Sequence, residues 1–494
     1  MGKFTIHGNY YNNCFNLPPT TGPDACDIFI EKTCPADIQT TLWKAPVSLN
    51  DLDAIVESAV KGISSWRKTT LEDRIAIIER YKNELSIIKN ELIEAICYEV
   101  GKPKWSANIE VDKTIAHISV LIDYAKRRIS PATIHNDDQK YAGTISYKPI
   151  GPVLIISPFD YPCQIPSNRI VSALLGGNSV ILKPSEQSVY TSQLIISALH
   201  RAGFPNGVIN MVIGGEEVGK RLVKYKEIIG VLFIGSNETG GHLLDSASSR
   251  INKMLSLELS GKNTTILHKD CNVDSILDAV IHSCYACSGQ DCLSTAIVAI
   301  HKNIEDEFIT KFHQRSKEIV VDHPFEFESG NEPFMGPLIN EQAVKTYLLF
   351  IGMAKREGIT EIMRGKQLER KKRGHYVSPS IHYTKKLIPQ SLFLGSEILS
   401  PNCTIIPYQE AEEAINIANS TEFGLATSLF SNAKEMQEIC LRDIHTGSIN
   451  FNVPTTTLDP RFPIGSLKNS SNFRTGGIGT LDSCVFPVSN LSRY

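Results

Sequence analysis

No excess of charge of either sign marks this chain. Its 50 lysines and arginines stand against 53 aspartates and glutamates, a formal net charge of −3. A protein that grips nucleic acid through its phosphates shows a strong basic excess, and an acidic solvating tail shows the reverse, so neither class is expected. Long apolar runs are missing too: no stretch approaches the roughly 20 residues needed to cross a bilayer. The opening MGKFTIHGNYYNN lacks the apolar core of a secretory signal. Gly2 hints at myristoylation, but position 6 is Ile where that signal needs Ser or Thr. Internal repeats and low-complexity segments are absent. Twelve cysteines are scattered from Cys14 to Cys484, and with no signal ahead of them reduced thiols are expected. A soluble cytoplasmic protein follows, with no membrane and no nucleic-acid partner. Its 42% hydrophobic content is enough for a full core, and 494 residues at roughly 100–200 per domain make two or three domains.

What is present begins with helices. Residues 51–66 read as one. A longer helix over 71–100 carries Ile75, Ile78, Leu85, Ile88, Leu92 and Ile96 at helical spacing, with Thr70 and Asp73 as a capping box and Gly101 as its stop. A third helix covers about 106–127 and breaks at Ser130-Pro131. From Ile150 the rhythm changes. VLIIS (153–157), SVILK (179–183), VINMVI (208–213) and GVLFIG (230–235) are short apolar runs separated by helical stretches near 165–175, 187–202 and 216–225. Strand and helix in that alternation mean βαβ units and a parallel sheet buried on both faces. Ligands of such sheets sit beyond the carboxyl ends of the strands, which here read Pro158-Phe159-Asp160, Lys183-Pro184-Ser185-Glu186, Gly214-Gly215 and Gly235-Ser236. These suit a nucleotide, although no G-x-G-x-x-G follows the first strand. A second αβ unit reads as strand 264–268, helix 274–287 and strand 294–301, with helices at 410–420 and 434–443 and a strand at 448–452. Lys371-Lys372-Arg373 reads as a solvated loop.

The segment Cys284-Tyr-Ala-Cys287-Ser-Gly289-Gln290-Asp291-Cys292 is the richest in chemistry. Cys284 and Cys287 have metal-like spacing, but no second pair completes a set of four ligands, so no metal is expected and two cysteines on a buried helix face is the better reading. Cys292 lies past Gly289 at a break before a strand, where a nucleophile and an inert buried thiol are equally consistent with spacing. Glu258 is a carboxylate in an apolar run, open to a catalytic or an ion-paired reading.

Together these segments resemble the aldehyde dehydrogenase superfamily over almost the whole chain. ISPFDYP (156–162) is similar to the family's strand-to-helix motif with its Pro-aromatic-Asn core. GGNSVILKPSE (176–186), GFPNGVINMVIGG (203–215) and LFIGSNETG (232–240) follow in the family's order. LELSGK (257–262) resembles the catalytic-glutamate motif and GQDC (289–292) the catalytic-cysteine motif. EVGKPKWSANIEV (99–111), GGEEVG (214–219), INFNVP (449–454) and the tail around Ser470, Asn472 and Arg474 resemble the N-succinylglutamate semialdehyde dehydrogenase branch, which implies arginine catabolism.

The resemblance implies an α/β architecture in three parts. A Rossmann-like NAD-binding domain would span 1–127 and 150–257, and a catalytic domain 258–460. A strand-rich oligomerisation element would combine 128–149 with 461–494 and make a homodimer or homotetramer. It also implies NAD-dependent oxidation of a small acidic semialdehyde. Cys292 would attack the aldehyde carbon, the Cys292 amide and the side chain at position 160 would hold the oxyanion, and Glu258 would activate water against the thioester. Lys183 and Glu186 would bind the adenosine ribose, Ser236 the pyrophosphate and Glu397 the nicotinamide ribose, with Pro158, Gly215, Gly219 and Gly235 in the cofactor site. The departures cluster at the chemistry. Asp160 stands where the family has Asn, so a donor becomes an acceptor when ionised. Asp291 and Thr295-Ala296-Ile297 replace basic residues of the branch. Ser260, Asn168 and Ser466 replace glycines, and Leu399-Ser400-Pro401 replaces Phe-Gly-Pro. A second reading follows from them: a weak or inactive homologue kept for NAD or partner binding.

Overall fold

Four short strands of almost unbroken apolar sequence build the centre of a seven-stranded sheet. Val153–Ile156, Val180–Lys183, Ile209–Met211 and Gly230–Ile234 are buried at every position but Ile234. Burial on both faces is what their lack of polar alternation demands. The computed structural model describes residues 2–19, 26–136, 141–327 and 330–493. In it the parallel order runs Met254–Glu258, Gly230–Ile234, Val153–Ile156, Val180–Lys183, Ile209–Met211. The chain moves outward from Val153–Ile156 on one side, then returns to Gly230–Ile234 on the other. The carboxyl ends of these two strands therefore form the crevice where such sheets hold ligands.

The sheet also has two strands the apolar pattern does not mark. Asn9–Tyr11 and Cys14–Asn16 form a hairpin that pairs antiparallel with Ile209–Met211. Its two-residue loop, Asn12-Asn13, has both φ angles positive, 52° and 59°, the geometry that Asn tolerates in tight hairpins. A second seven-stranded sheet orders Thr360–Met363, Ser380–Tyr383, Asn402–Tyr408, Thr295–His301, Asn263–Leu267, Ala426–Phe430 and Ser448–Phe451. Every pairing in it is parallel except at the Thr360–Met363 edge. A three-stranded sheet joins Ala132–Asn136, Tyr141–Pro149 and Val485–Arg493. Residues 137–140 and 494, part of the expected oligomerisation element, lie outside the described residues.

Two helices differ from the periodic reading. The helix expected over 71–100 is divided into Leu71–Ile87 and Lys89–Val100. The ladder still runs through, with the Ile88 amide donating to the Glu84 carbonyl and the Leu92 amide to the Ile88 carbonyl. The division falls at Ile88, whose φ of −93° and ψ of 13° leave the helical region; Ile88 is in the core while its neighbour Ile87 is 75% exposed. The capping box forms as expected: the Asp73 amide donates to Thr70 Oγ1 at 3.1 Å, and the Thr70 amide to Asp73 Oδ2 at 3.0 Å. The helix expected over 274–287 is Val273–Tyr285, and its early end matters for the site.

Candidate active site

Three consecutive residues with positive φ, Cys287 (53°), Ser288 (57°) and Gly289 (65°), turn the chain sharply after Tyr285. At Gly289 a side chain is excluded twice, by the left-handed backbone and because a Cβ would lie 2.4 Å from the Ser400 carbonyl group. Cys287 therefore does not share a helix face with Cys284. Cys284 is buried in the helix, while Cys287 Sγ lies 3.5 Å from Ser106 Oγ and 3.7 Å from the Tyr161 hydroxyl. The turn delivers Cys292 just before the central strand Thr295–His301. Its carbonyl accepts from Asn263 Nδ2 at 2.8 Å, and among the described residues its amide donates to no protein group. A buried hydroxyl cluster, Thr265, Ser283, Thr295 and Thr455, anchors the strand, and Thr455 Oγ1 donates to the Leu293 carbonyl at 2.7 Å. Thr295 is thus inside the sheet, where a basic side chain has no room.

Cys292 sits where two cavities meet. One is a cleft of about 450 Å³ at the carboxyl ends of the first sheet, lined by Pro158, Asp160, Lys183, Glu186, Gly219, Gly235, Ser236, Glu397 and Cys292. Gly215 is one step behind its wall, immediately before the helix Glu216–Lys224 whose Glu216 does line it. Lys183 donates to the carbonyls of Gly214 (2.8 Å) and Pro184 (3.0 Å), and burial lowers its pKa against the pull of Glu186. Ser236 caps the helix Asn237–Ala247, which opens at the cleft and offers the dipole end that favours phosphate oxygens. Glu397 accepts from the Gly261 amide at 2.8 Å and from Ser260, so the serine that replaces a glycine helps to hold this acid in place. These groups fit a dinucleotide: a lysine and an acid at the end of one strand, a helix N-terminus at the next, and a second acid beside the sulfur.

The other cavity is a tunnel of about 130 Å³ whose walls include Lys113, His117, Tyr161, Asn168, Arg169, Glu258 and Asp291, and which shares Asp160, Ile234, Leu259 and Cys292 with the cleft. Its acids have unequal surroundings. Glu258, the last residue of Met254–Glu258, is ion-paired with Arg169, which also donates to Thr480. Gly476 packs against that carboxylate so closely that a Cβ would come within 2.1 Å of Oε2. Burial raises the Glu258 pKa and Arg169 opposes the rise. Asp291 accepts from the Leu293 amide at 2.8 Å and the Tyr161 hydroxyl at 2.7 Å. Asp160 is 9% exposed and accepts only from the Tyr161 amide, at 3.1 Å, among the described residues. Burial first and Asp291 second push its pKa up to about 7. Lys102, whose charge opposes that rise, is paired with Glu110 at 2.8 Å, both side chains being buried. Burial, then Asp291 and Asp160, raise the Cys292 thiol well above its usual range.

The sequence pattern of the aldehyde dehydrogenase family matches residues 23–486. The chain belongs to the aldehyde dehydrogenase family. Among curated relatives it is 31% identical over 464 residues to an N-succinylglutamate 5-semialdehyde dehydrogenase of Chromobacterium violaceum, covering 93% of each chain. It is 29% identical over 463 residues to the protein of the same name from Acinetobacter baylyi, covering 93% of this chain and 92% of that one. A 1-pyrroline-5-carboxylate dehydrogenase from Thermus, solved with bound NAD, shares the fold with a TM-score of 0.90, at 24% identity over 99% of this chain and 93% of that one. The α/β architecture expected from the motifs is this family's fold, and the chain is an aldehyde dehydrogenase.

Several residues of this aldehyde dehydrogenase's site were not singled out in the sequence. Arg169 had a signal, being a charge in the otherwise apolar second half of the helix Gln164–Leu175. Lys102 and Glu110 gave none, because a Lys just before a helix and a Glu within it look the same in sequence whether they are exposed or form this buried pair. Lys113 and His117, four apart on the helix Lys104–Arg128, show only in three dimensions that they face the tunnel.

Proposed function

We propose that this aldehyde dehydrogenase oxidises a small semialdehyde with an anionic tail to its carboxylate, using NAD and a Cys292 thioester. Succinylglutamate semialdehyde, for which the curated relatives are named, is the first candidate, in the breakdown of arginine. The observation that carries the reading is Cys292 at the junction of the cofactor-sized cleft and the narrower tunnel. An aldehyde entering by the tunnel meets the sulfur from one side, and a cofactor in the cleft faces it from the other. Lys183 and Glu186 would hold the adenosine end of the cofactor, Ser236 and its helix the phosphates, and Glu397 the nicotinamide ribose. When bound, NAD supplies the acceptor for the hydride of the aldehyde carbon. The Cys292 amide contributes a donor to the oxyanion, and Glu258, steadied by Arg169, takes a proton from the water that cleaves the thioester.

Charge along the tunnel supports a substrate with a neutral reactive end. Asp160 and Asp291 crowd the sulfur, whereas Lys113 lies on the exposed face of Lys104–Arg128. Arg169 is already taken by Glu258, so Lys113 supplies the charge for a substrate carboxylate. His117 is held neutral, its pKa lowered to about 4 by burial and by Lys113. Its Nδ1 receives Asn168 Nδ2 at 3.1 Å, while Asn168 Oδ1 is buried with no donor among the described residues and suits an amide N–H of the substrate. NADH formation tests the reading. Succinylglutamate semialdehyde should be turned over, Cys292→Ala should lose at least about 10³-fold in kcat, and Lys113→Ala should raise KM for the acidic substrate alone. No turnover of any semialdehyde with NAD binding intact would instead support the inactive homologue.

The twelve free cysteines suit a reducing cytoplasm. Among the described residues no helix is long and apolar enough to cross a membrane. Ile134, Phe486 and Leu491, all exposed on the three-stranded sheet, suit the contact of a homodimer or homotetramer. The division into cofactor domain, catalytic domain and oligomerisation element at the boundaries given above belongs to the same proposal.

A further inference from the structure

We propose that Asp160 is the base that takes the Cys292 thiol proton and then, as the neutral acid, donates a hydrogen bond to the oxyanion formed when the sulfur adds to the aldehyde carbon. This rests on the cysteine route proposed above and assigns that route a proton carrier. The carboxylate is placed for it. The nearest side-chain oxygens of Asp160 and Asp291 and the sulfur of Cys292 all lie within 4.8 Å of one another, a span that a single water bridges. Asp160 borders both the cleft and the tunnel. Its one protein hydrogen bond among the described residues, from the Tyr161 amide, leaves the other oxygen open to the sulfur or the substrate.

The other acids near the sulfur are occupied. Glu258 is clamped by Arg169 and by the backbone at Gly476. Glu397 receives the Gly261 amide. Asp291 has a donor on each oxygen, Leu293 N–H on one and the Tyr161 hydroxyl on the other, and it stands beside Asp160, whose proton affinity it raises. Lys102 opposes Asp291 at Asp160, but it is already shared with Glu110, whose other oxygen receives the Cys163 and Gln164 amides. Lys113 and His117 stand in the same tunnel, with His117 neutral at working pH. A buried carboxylate with a like charge against it gains a proton readily, and one near pH 7 accepts and returns it at little cost. The replacement of the family's Asn by Asp160 then exchanges a permanent donor for one that becomes a donor by collecting the thiol proton.

The proton balance closes. The S–H bond breaks and Asp160 gains an O–H bond. The S–C bond forms as the carbonyl π electrons move to oxygen, and the Asp160 O–H faces that oxygen. The C–H bond then breaks with its electron pair as hydride, for which bound NAD would be the acceptor, and C=O re-forms as the thioester. When water cleaves the thioester, the departing thiolate takes the proton back from Asp160, one proton of the water passes through Glu258 to solvent, and the other leaves as the carboxylic acid product ionises. Asp160 ends as the carboxylate and Cys292 as the thiol.

Alkylation of Cys292 by iodoacetamide, read at its own peptide by mass spectrometry, tests this without substrate or NAD. Wild type should show a rate that rises through about pH 7, the limb of the base. Asp160→Asn, of the same shape, should lose that limb and label at least about tenfold more slowly at pH 7.5. Asp291→Asn should move the limb to lower pH by removing the neighbouring charge. Labelling of Asp160→Asn at the wild-type rate or faster, with NAD binding unchanged, would overturn the proposal and mark Asp160 as a mere source of repulsion. A limb unmoved in Asp291→Asn would overturn its assignment to Asp160. A limb present in wild type and lost in Asp160→Asn, alongside no turnover of any semialdehyde, would uphold the pairing and dismiss the substrate reading.

Discussion

Glu258 and Asp160 line the same tunnel, both are withdrawn from water, and both have pKa values raised by burial. Their neighbours differ. On the Glu258 side the helix Gln164–Leu175 contributes Arg169, and the carboxylate is fixed as one half of an ion pair. On the Asp160 side the turn before Thr295–His301 contributes Asp291, a second negative charge, and the local cation is paired elsewhere. Equal burial thus produces an anchored anion in one region and an exchangeable proton in the other. The partner, and not the depth, decides which.

Removing that difference from one side should have the largest effect. Arg169→Met leaves Glu258 buried without its cation, and breaking such a pair costs about 3–5 kcal/mol. Chemical denaturation at pH 8 should show that loss. It should be smaller at pH 5, since a protonated Glu258 no longer needs the guanidinium. A loss independent of pH would mean that Arg169 acts by packing alone.

Removing it from the other side should stabilise the protein. Because the Asp160 pKa is raised in the folded state from 3.8 to about 7, the unfolded chain releases this proton first as pH rises. Stability from this group is therefore full only below the unfolded pKa and is lost as pH climbs through 7, by about 4 kcal/mol at 1.4 kcal/mol per unit. Asp160→Asn should be more stable than wild type at pH 8 and within about 1 kcal/mol of it at pH 4.5, while reacting more slowly at Cys292. Function held at a cost in stability is common at such sites. Equal stability at both pH values would show that Asp160 is not strained by its neighbours.

The smallest effect should come from a site outside both regions. Thr70→Ala removes the exposed cap of Leu71–Ile87 and should cost about 1 kcal/mol at every pH from 5 to 8, without altering NADH formation. A pH-dependent or activity-linked change there would blur the contrast between the two tunnel acids.

Much of the fold could be read from local pattern. The four apolar runs from Val153 to Ile234 appear within two residues of their expected limits, since a strand buried on both faces must be apolar throughout. The capping box at Thr70 and the stop at Gly101, with φ of 82°, are likewise local. The strand Asn402–Tyr408 was not among the expected elements; its Pro407 stands one residue from its end, where a missing N–H disturbs the ladder least. The early end of Val273–Tyr285 was missed because only Gly289 of the left-handed triplet has the composition to announce it.

For the site the division is sharper. The motifs around Cys292 and Glu258 are contiguous, and a thiol in a turn between helix and strand is a property of a dozen residues. Charge states are not local. Tyr161 reaches Asp291 across 130 positions, Arg169 reaches Glu258 across 89, and the Glu110 carboxylate receives Cys163 across 53. Hydrophobic periodicity names the elements because each residue needs only its near neighbours to show a face. A proton's affinity depends on which distant groups the packed chain places within a few ångströms, and that is settled only when the sheets and helices come together.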